Sequence, residues 1–263
     1  MRRVAILAAT GRELTPVRGA LQECRRGPLG QFRHEIGRAG TLEVHLIRMG
    51  IGPDRARAAS EQVFEAVSPE AAISTGYAGA LGPAEVGEVI LGTEVHDWTR
   101  DRSQPVTPAD AGLLQVARMA ARESGLVWTQ GPVVTVGTVI WRAAEKHALS
   151  DASGAVAMDM ESAAIAKVAA AAAVPCLVAR TVFDRVGDDL PMDFNLWFAP
   201  WGAARVFMEI LRRPSILSSL YRLERHEEQA SETLARFFRA LFLAFQVHPS
   251  PTDLEYPVAA GAR

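Results

Sequence analysis

Apolar positions along this chain follow two rhythms. Short unbroken runs bounded by glycine or charge alternate with longer stretches in which apolar residues recur at helical spacing. The runs predict buried strands and the spaced stretches amphipathic helices. Val4 to Ala9 is the first run, Thr10 and Gly11 turn the chain, and Glu13 to Cys24 reads as a helix with Leu14, Val17 and Leu21 on one face. Phe32 to Ile36 and Thr41 to Met49 read as a strand pair joined through Gly37 to Gly40, and a helix follows from Asp54 to Val67. Ala71 to Thr75 is a strand ending in a glycine-rich turn, Gly76 to Gly79. Further on come a strand from Val86 to Gly92, a polar loop from Trp98 to Pro108, a helix from Asp110 to Ser124, a strand from Val133 to Val136 and a helix from Ala143 to Leu149. The alternation predicts a three-layer α/β/α fold.

The stretch from Ala155 to Asp184 carries the chemistry. An apolar run ends at Asp159, Met160 and Glu161; Ser162 opens an Ala-rich helix that stops before Pro175; a strand from Cys176 ends at Asp184. Glu161 and Asp184 therefore lie just past the carboxyl ends of two strands, the edge of a parallel sheet where ligands bind. A helix N-terminus that favours Glu, and an Asp that caps the next element, account for the same spacing. Gly50 and Gly52 form a Gly-x-Gly, but Arg55 stands at the third glycine's place and no acidic residue closes the following strand, which excludes a dinucleotide fingerprint. Both glycines still permit close backbone approach to a ligand.

Past Asp184 the pattern changes to an acidic loop, an aromatic cluster from Leu196 to Trp201, and two helical stretches separated around Pro214. Leu234, Phe237, Phe238, Leu241, Phe242 and Phe245 form an apolar stripe flanked by Arg236 and Arg239. Such a stripe packs on the sheet or on a second subunit; alternatively it makes a peripheral membrane contact, with Trp197, Phe198 and Trp201 at the pocket mouth. The expected division is a catalytic domain over residues 1–195, a helical extension over 196–248 and a tail without order over 249–263.

A net charge of −2 gives no reason to expect nucleic-acid binding. Two cysteines, Cys24 and Cys176, and six scattered histidines imply neither a disulfide framework nor a metal site. The apolar start is too short for a signal peptide, and Lys167, Pro175 and Arg180 interrupt the Ala-rich run, so a cytoplasmic protein is expected, with the inner membrane face as its other location.

The order of Gly50-x-Gly52, Ser74 to Gly79, Met158 to Glu161 and Arg180 to Asp184 resembles the nucleoside phosphorylase/nucleosidase superfamily over roughly residues 3 to 192. Within it the chain looks similar to the methylthioadenosine/adenosylhomocysteine nucleosidases. Leu211 to Pro214 and the basic helix after it resemble a narrower group, the hopanoid-associated nucleosidases, taken to release adenine from adenosylhopane and leave ribosylhopane. The resemblance implies a mixed central sheet, a homodimer, no cofactor, and a small-molecule or lipid-linked nucleoside as substrate. It implies Asp184 as the acid at purine N7, Glu161 on the ribose hydroxyls with Met160 against the sugar, and Glu13 as the base for water. Gly50, Gly52, Gly76, Tyr77 and Gly79 would form glycine-rich turns at the site, Ile140 or Trp141 would cover the purine, and Phe183 would precede the acid. Two departures matter. Ser74 and Tyr77 stand where phosphorylases bring arginine and serine to phosphate, so water is the expected nucleophile, with Arg12 and Arg48 keeping phosphate open. Tyr77 and Phe183 also replace small residues of the methylthioadenosine enzymes, which turns the reading away from a small thioether substrate. A phosphorylase of soluble nucleosides is the first rival, and a non-catalytic ligand-binding or membrane-scaffold protein the second.

Overall fold

In the computed structural model, which describes residues 1–99, 107–198, 201, 208–209, 212–213 and 216–247, ten strands form one mixed sheet. β1 (Arg3–Ala8) lies between β4 (Leu42–Arg48) and β5 (Ala71–Ala80), parallel to both. β3 (Arg33–Ala39) and β2 (Gln22–Gly27) continue beyond β4 in antiparallel order. On its other side β5 pairs in parallel with β10 (Cys176–Asp184) and, past the end of β1, antiparallel with β9 (Ala157–Asp159). β8 (Trp128–Val136) runs parallel to β9 and to β6 (Val89–Trp98), and β6 returns antiparallel to β10; β7 (Thr107–Pro108) adds to β6. Strands β5, β10, β6, β8 and β9 therefore close into a ring, and β5 belongs to both the ring and the open half.

Helices cover both faces, as the three-layer expectation requires. Along β1, Val4, Ile6 and Ala8 pack on the side of α1 (Gly11–Arg18), α3 (Ala111–Glu123) and α6 (Ile216–Val247), while Ala5 and Leu7 pack towards α2 (Pro53–Val67) and α5 (Ser162–Ala171). A strand buried on both faces reads as an unbroken apolar run, which is why Val4 to Ala9 stands out in the sequence. α4 (Ala143–Ser153) sets Leu149 against Val134, Val136 and Met158 at one end of the ring.

Two expectations are corrected. The first helix stops at Arg18, and the chain makes β2 where a helix was expected to reach Cys24. β2 is an exposed edge strand, and its Gln-Glu-Cys-Arg-Arg-Gly carries no alternation to betray it. The glycine-rich segment from Gly76 to Gly79 is strand, not turn: β5 runs on to Ala80 because β10 and β9 supply partners along its length. The C-terminal stripe takes the first of its two expected courses and packs on the sheet. Phe237, Phe238, Leu241, Phe242 and Phe245 of α6 are at most 4% exposed and share a core with β1, α1 and α3, so the stripe is not open to a bilayer. Burying each such side chain contributes about 1.5–3 kcal/mol. No helix among the described residues is long and apolar enough to cross a membrane. Most of the Trp98 to Pro108 loop, Leu211, Pro214 and residues 248–263 lie outside the described residues.

Candidate active site

The parallel strands β1, β4, β5 and β10 end on one edge of the sheet, and a cavity of about 880 Å³ opens there. Its wall takes Glu13 from α1, Ile51 from the loop after β4, Tyr77 and Gly79 from β5, Ile140 from the loop after β8, and Met160 and Glu161 from the turn after β9. Phe183 and Asp184 close it from β10.

Glu13 is fixed by the chemistry of a helix start. Thr10 is the N-cap of α1, and its hydroxyl accepts from the Glu13 N–H. Glu13 Oε2 turns back to accept from Thr10 N at 2.7 Å and Thr10 Oγ1 at 2.8 Å, completing a capping box. The other oxygen, Oε1, accepts from Tyr77 N at 3.0 Å, which ties α1 to β5. That approach needs a strand without a side chain at the crossing. Gly76 has φ +135°, and a Cβ there would stand 2.2 Å from Glu13 Oε1.

Glu161 stands at the N-cap of α5, yet its side chain makes no capping bond. Asp159 does that work instead: its Oδ1 accepts from Glu161 N and Ser162 N at 3.2 Å and from Thr135 Oγ1 at 2.7 Å. Glu161 is thereby released to the cavity floor, where Oε1 accepts from Gly52 N at 3.0 Å. Gly52 has φ +103°, a conformation glycine supplies without strain. Beneath lies Arg180, 1% exposed, with Nη2 2.9 Å from Asp159 Oδ2 and 3.8 Å from Glu161 Oε2, donating also to Ser74 Oγ and Ser162 Oγ at 3.1 Å. Burial nevertheless outweighs this guanidinium and, helped by Asp159, pushes the Glu161 carboxyl up to about 7.

Asp184 has a partner that the sequence did not announce. Lys146, fully buried on α4, donates to Asp184 Oδ2, to Arg185 O at 2.9 Å and to Asp188 O at 2.7 Å. Burial raises the Asp184 carboxyl above the ordinary aspartate range, and the Lys146 ammonium opposes that shift. Nothing in the helical pattern from Ala143 onward marks Lys146 as buried; an amphipathic helix normally turns such a residue to water.

The upper wall is apolar and aromatic. Tyr77 and Phe183 stack with centroids 6.0 Å apart, and His226 of α6 meets Phe183 edge-on while its Nδ1 lies 3.1 Å from Phe183 O. Ile140 lines the cavity but Trp141 does not; Trp141 carries the Arg142 guanidinium over its ring at 4.5 Å. Asn195 holds Val139 through both its backbone groups at 2.8 Å and so fixes the loop after β8 beside Ile140. Gly50, Gly52 and Gly76 do not line the cavity: Gly52 and Gly76 lie against Glu161 and Glu13 behind it, and a Cβ at Gly50 would meet the Arg55 side chain at 2.8 Å. The first turns of α6 bring Leu220, Tyr221, Leu223, Glu224 and Glu227 to the rim. Arg12, 78% exposed at its side chain, pairs with Glu227 at 2.7 Å, and Arg48 is exposed and forms no part of the wall. Trp201 is 85% exposed. No cluster of metal-ligating side chains occurs among the described residues.

Residues 3–212 match the family described as the Phosphorylase superfamily. A 5'-methylthioadenosine/S-adenosylhomocysteine nucleosidase of Maridesulfovibrio salexigens is 29% identical over 202 residues, 71% of this chain and 87% of that protein. An aminodeoxyfutalosine nucleosidase of Campylobacter jejuni is 25% identical over 208 residues, 74% of this chain and 91% of that one. Among solved structures, the methylthioadenosine/adenosylhomocysteine nucleosidase of Neisseria meningitidis in complex with methylthio-immucillin-A superposes with a TM-score of 0.73 at 21% identity, covering 92% of this chain and 98% of that one.

Proposed function

The chain belongs to the Phosphorylase superfamily, and from that premise we propose that it is a nucleosidase that hydrolyses the N-glycosidic bond of an adenosyl compound with a bulky apolar 5′ substituent. The substrate we favour is adenosylhopane, released as adenine and ribosylhopane in hopanoid biosynthesis. The observation that carries the reading is one cavity in which Glu13, Glu161 and Asp184 come from three elements under a rim where α6 sets Leu220, Tyr221 and Leu223 beside Glu224 and Glu227. Its volume of about 880 Å³ lies near the top of the roughly 300–1,000 Å³ range of small-molecule sites. An adenosine leaves part of that space to its 5′ substituent, and Leu220, Tyr221 and Leu223 make that part apolar.

The proposed reaction runs through a ribosyl cation. As the C1′–N9 bond breaks, its electron pair enters the purine and N7 takes the proton of Asp184, a step worth about 10²–10⁴-fold. Glu161 grips the ribose hydroxyls and, with Met160 beside it, orients the sugar. Water adds to C1′ and gives its proton to Glu13; the product is free adenine and a ribose with a new hydroxyl. Proton exchange with solvent returns Asp184 and Glu13 to their starting states.

Water is favoured over phosphate on electrostatic grounds. Glu13, Asp159, Glu161, Asp184, Glu224 and Glu227 all line the cavity, while Arg12 is paired with Glu227 and Arg180 is buried among Asp159, Ser74 and Ser162. Among the described residues, a phosphate dianion entering this site meets carboxylates and no unpaired guanidinium. The experiment is adenine release by purified protein from adenosylhopane, methylthioadenosine and adenosylhomocysteine, with and without phosphate. The expected result is phosphate-independent release with the highest kcat/KM on adenosylhopane. Release that requires phosphate sinks the hydrolase, and a preference for the small thioether sinks the lipid substrate. The dimer implied by the family resemblance belongs to the same proposal, and light scattering on the purified protein tests it.

A further inference from the structure

Lys146 is a fully buried charge beside Asp184 that the proposed reaction leaves without a part. Taking a lysine fully out of water is costly unless every donor is met. Here the three ammonium donors go to one carboxylate oxygen and two main-chain carbonyls, all within the segment from Asp184 to Asp188. The carbonyls fold that segment around the ammonium, so the loop after β10 is shaped by a side chain from α4. The carboxylate contact falls on Oδ2. The other oxygen, Oδ1, lies on the side of Gly79, where a Cβ would come within 3.4 Å of it and 2.5 Å of Met158 Cε. One oxygen is thus held from behind and the other is left facing the cavity wall formed by β5.

We propose that Lys146 is the positioning residue of the acid: it pins Asp184 through Oδ2 so that Oδ1 addresses the purine, and its charge keeps the buried carboxyl acidic enough to release its proton. The proposal rests on the reading of Asp184 as the group that protonates the leaving base. The groups facing Asp184 are Lys146 from α4, Arg185 and Asp188 from the following loop, and His226 from α6, with Glu13, Glu161 and Glu224 elsewhere in the cavity wall. Arg185 is spent on Asp188 at 2.8 Å and on Glu85 at 3.4 Å. Lys146 is the one that touches the carboxylate directly.

The sign of the effect follows. The acid works while protonated, so kcat/KM falls as pH rises through the Asp184 transition. Removing an adjacent positive charge raises a carboxyl pKa, by about 1–3 units for a close pair, so the alkaline limb should move to higher pH. A stronger hold on the proton also slows its transfer, and the misaimed carboxyl adds to the loss.

The test compares wild type, Lys146→Gln, Lys146→Arg and Asp184→Asn in adenine release across pH, with folding checked by circular dichroism. Whichever adenosyl compound wild type cleaves serves as substrate. Lys146→Gln, which keeps a donor and loses the charge, should lower kcat by one to two of the orders of magnitude a general acid supplies, with KM little changed and the alkaline limb displaced upward by about a unit. Lys146→Arg should keep the limb at the wild-type pH even where its bulk lowers kcat. A folded Lys146→Gln with the wild-type limb overturns the proposal, whatever its rate, because a merely structural lysine leaves the profile in place. If Lys146→Gln does not fold, Lys146→Met takes its place as the variant that removes the charge: a displaced limb supports the proposal and a wild-type limb overturns it. Near wild-type turnover by Asp184→Asn instead removes the acid itself, and with it the premise rather than the role of Lys146.

Discussion

Glu161 sits in a contest between burial and charge, and burial wins. Its carboxyl titrates at about 7 in the fold against an ordinary 4.5, so between those values the folded chain holds a proton that the unfolded chain releases. More protons bound to the native state means that stability falls as pH rises through this window. The stabilisation linked to this proton is full below about pH 4.5 and is lost as pH passes 7, an effect on the order of 3 kcal/mol at about 1.4 kcal/mol per unit. Glu161→Gln removes the titration, so its Tm should change less between pH 5 and pH 8 than that of wild type. Parallel Tm curves for the two proteins would mean that Glu161 titrates in the ordinary range. Sequence reading brought Glu161 and Asp184 to the right edge because strand ends followed by carboxylates are visible in the pattern. It could not see that Asp159 takes over the helix cap and frees Glu161, since either carboxylate suits a cap by type. Lys146 gave no sign because its partners lie 38 to 42 residues away. Trp141, chosen for its ring, lies outside the cavity wall while its neighbour Ile140 lines it.

At the scale of elements, a single helix divides its labour. The later turns of α6 fill the core between α1 and α3, and its first turns rim the cavity. Phe238 is fully buried and contacts Phe237 and Phe242 ring to ring. Phe238→Ala should therefore cost about 3–5 kcal/mol in chemical denaturation. A membrane-facing phenylalanine would cost a few tenths, so the same measurement separates the two fates considered for this stripe. The stripe itself was legible from spacing alone; its destination was not, because a helix face says that it is covered and not by what. β5 shows a converse limit. Gly76 and Gly79 look like turn residues, but here glycine serves close packing in a strand, against Glu13 at one position and Met158 at the other.

For the whole molecule, the shared strand β5 joins a closed ring to an open sheet and places the site at their junction, with α6 spanning core and cavity. That helix is 32 residues long, about 48 Å at the standard rise. Its later portion is locked by buried phenylalanines, whereas at the rim Tyr221 is 63% exposed and Leu220 and Leu223 are only half-buried. Local opening costs least where few apolar contacts hold the backbone. Amide hydrogen exchange should accordingly be faster over residues 216–228 than over 230–245, and a bound substrate analogue should slow the first span and leave the second unchanged. Uniform protection along α6 would show a rigid rim. Should exchange prove fast there, the bulkiest group the cavity admits would be set by how many of these first turns come loose from the small cluster of Ile216, Met192 and Leu220, and the admission rate by how often they do.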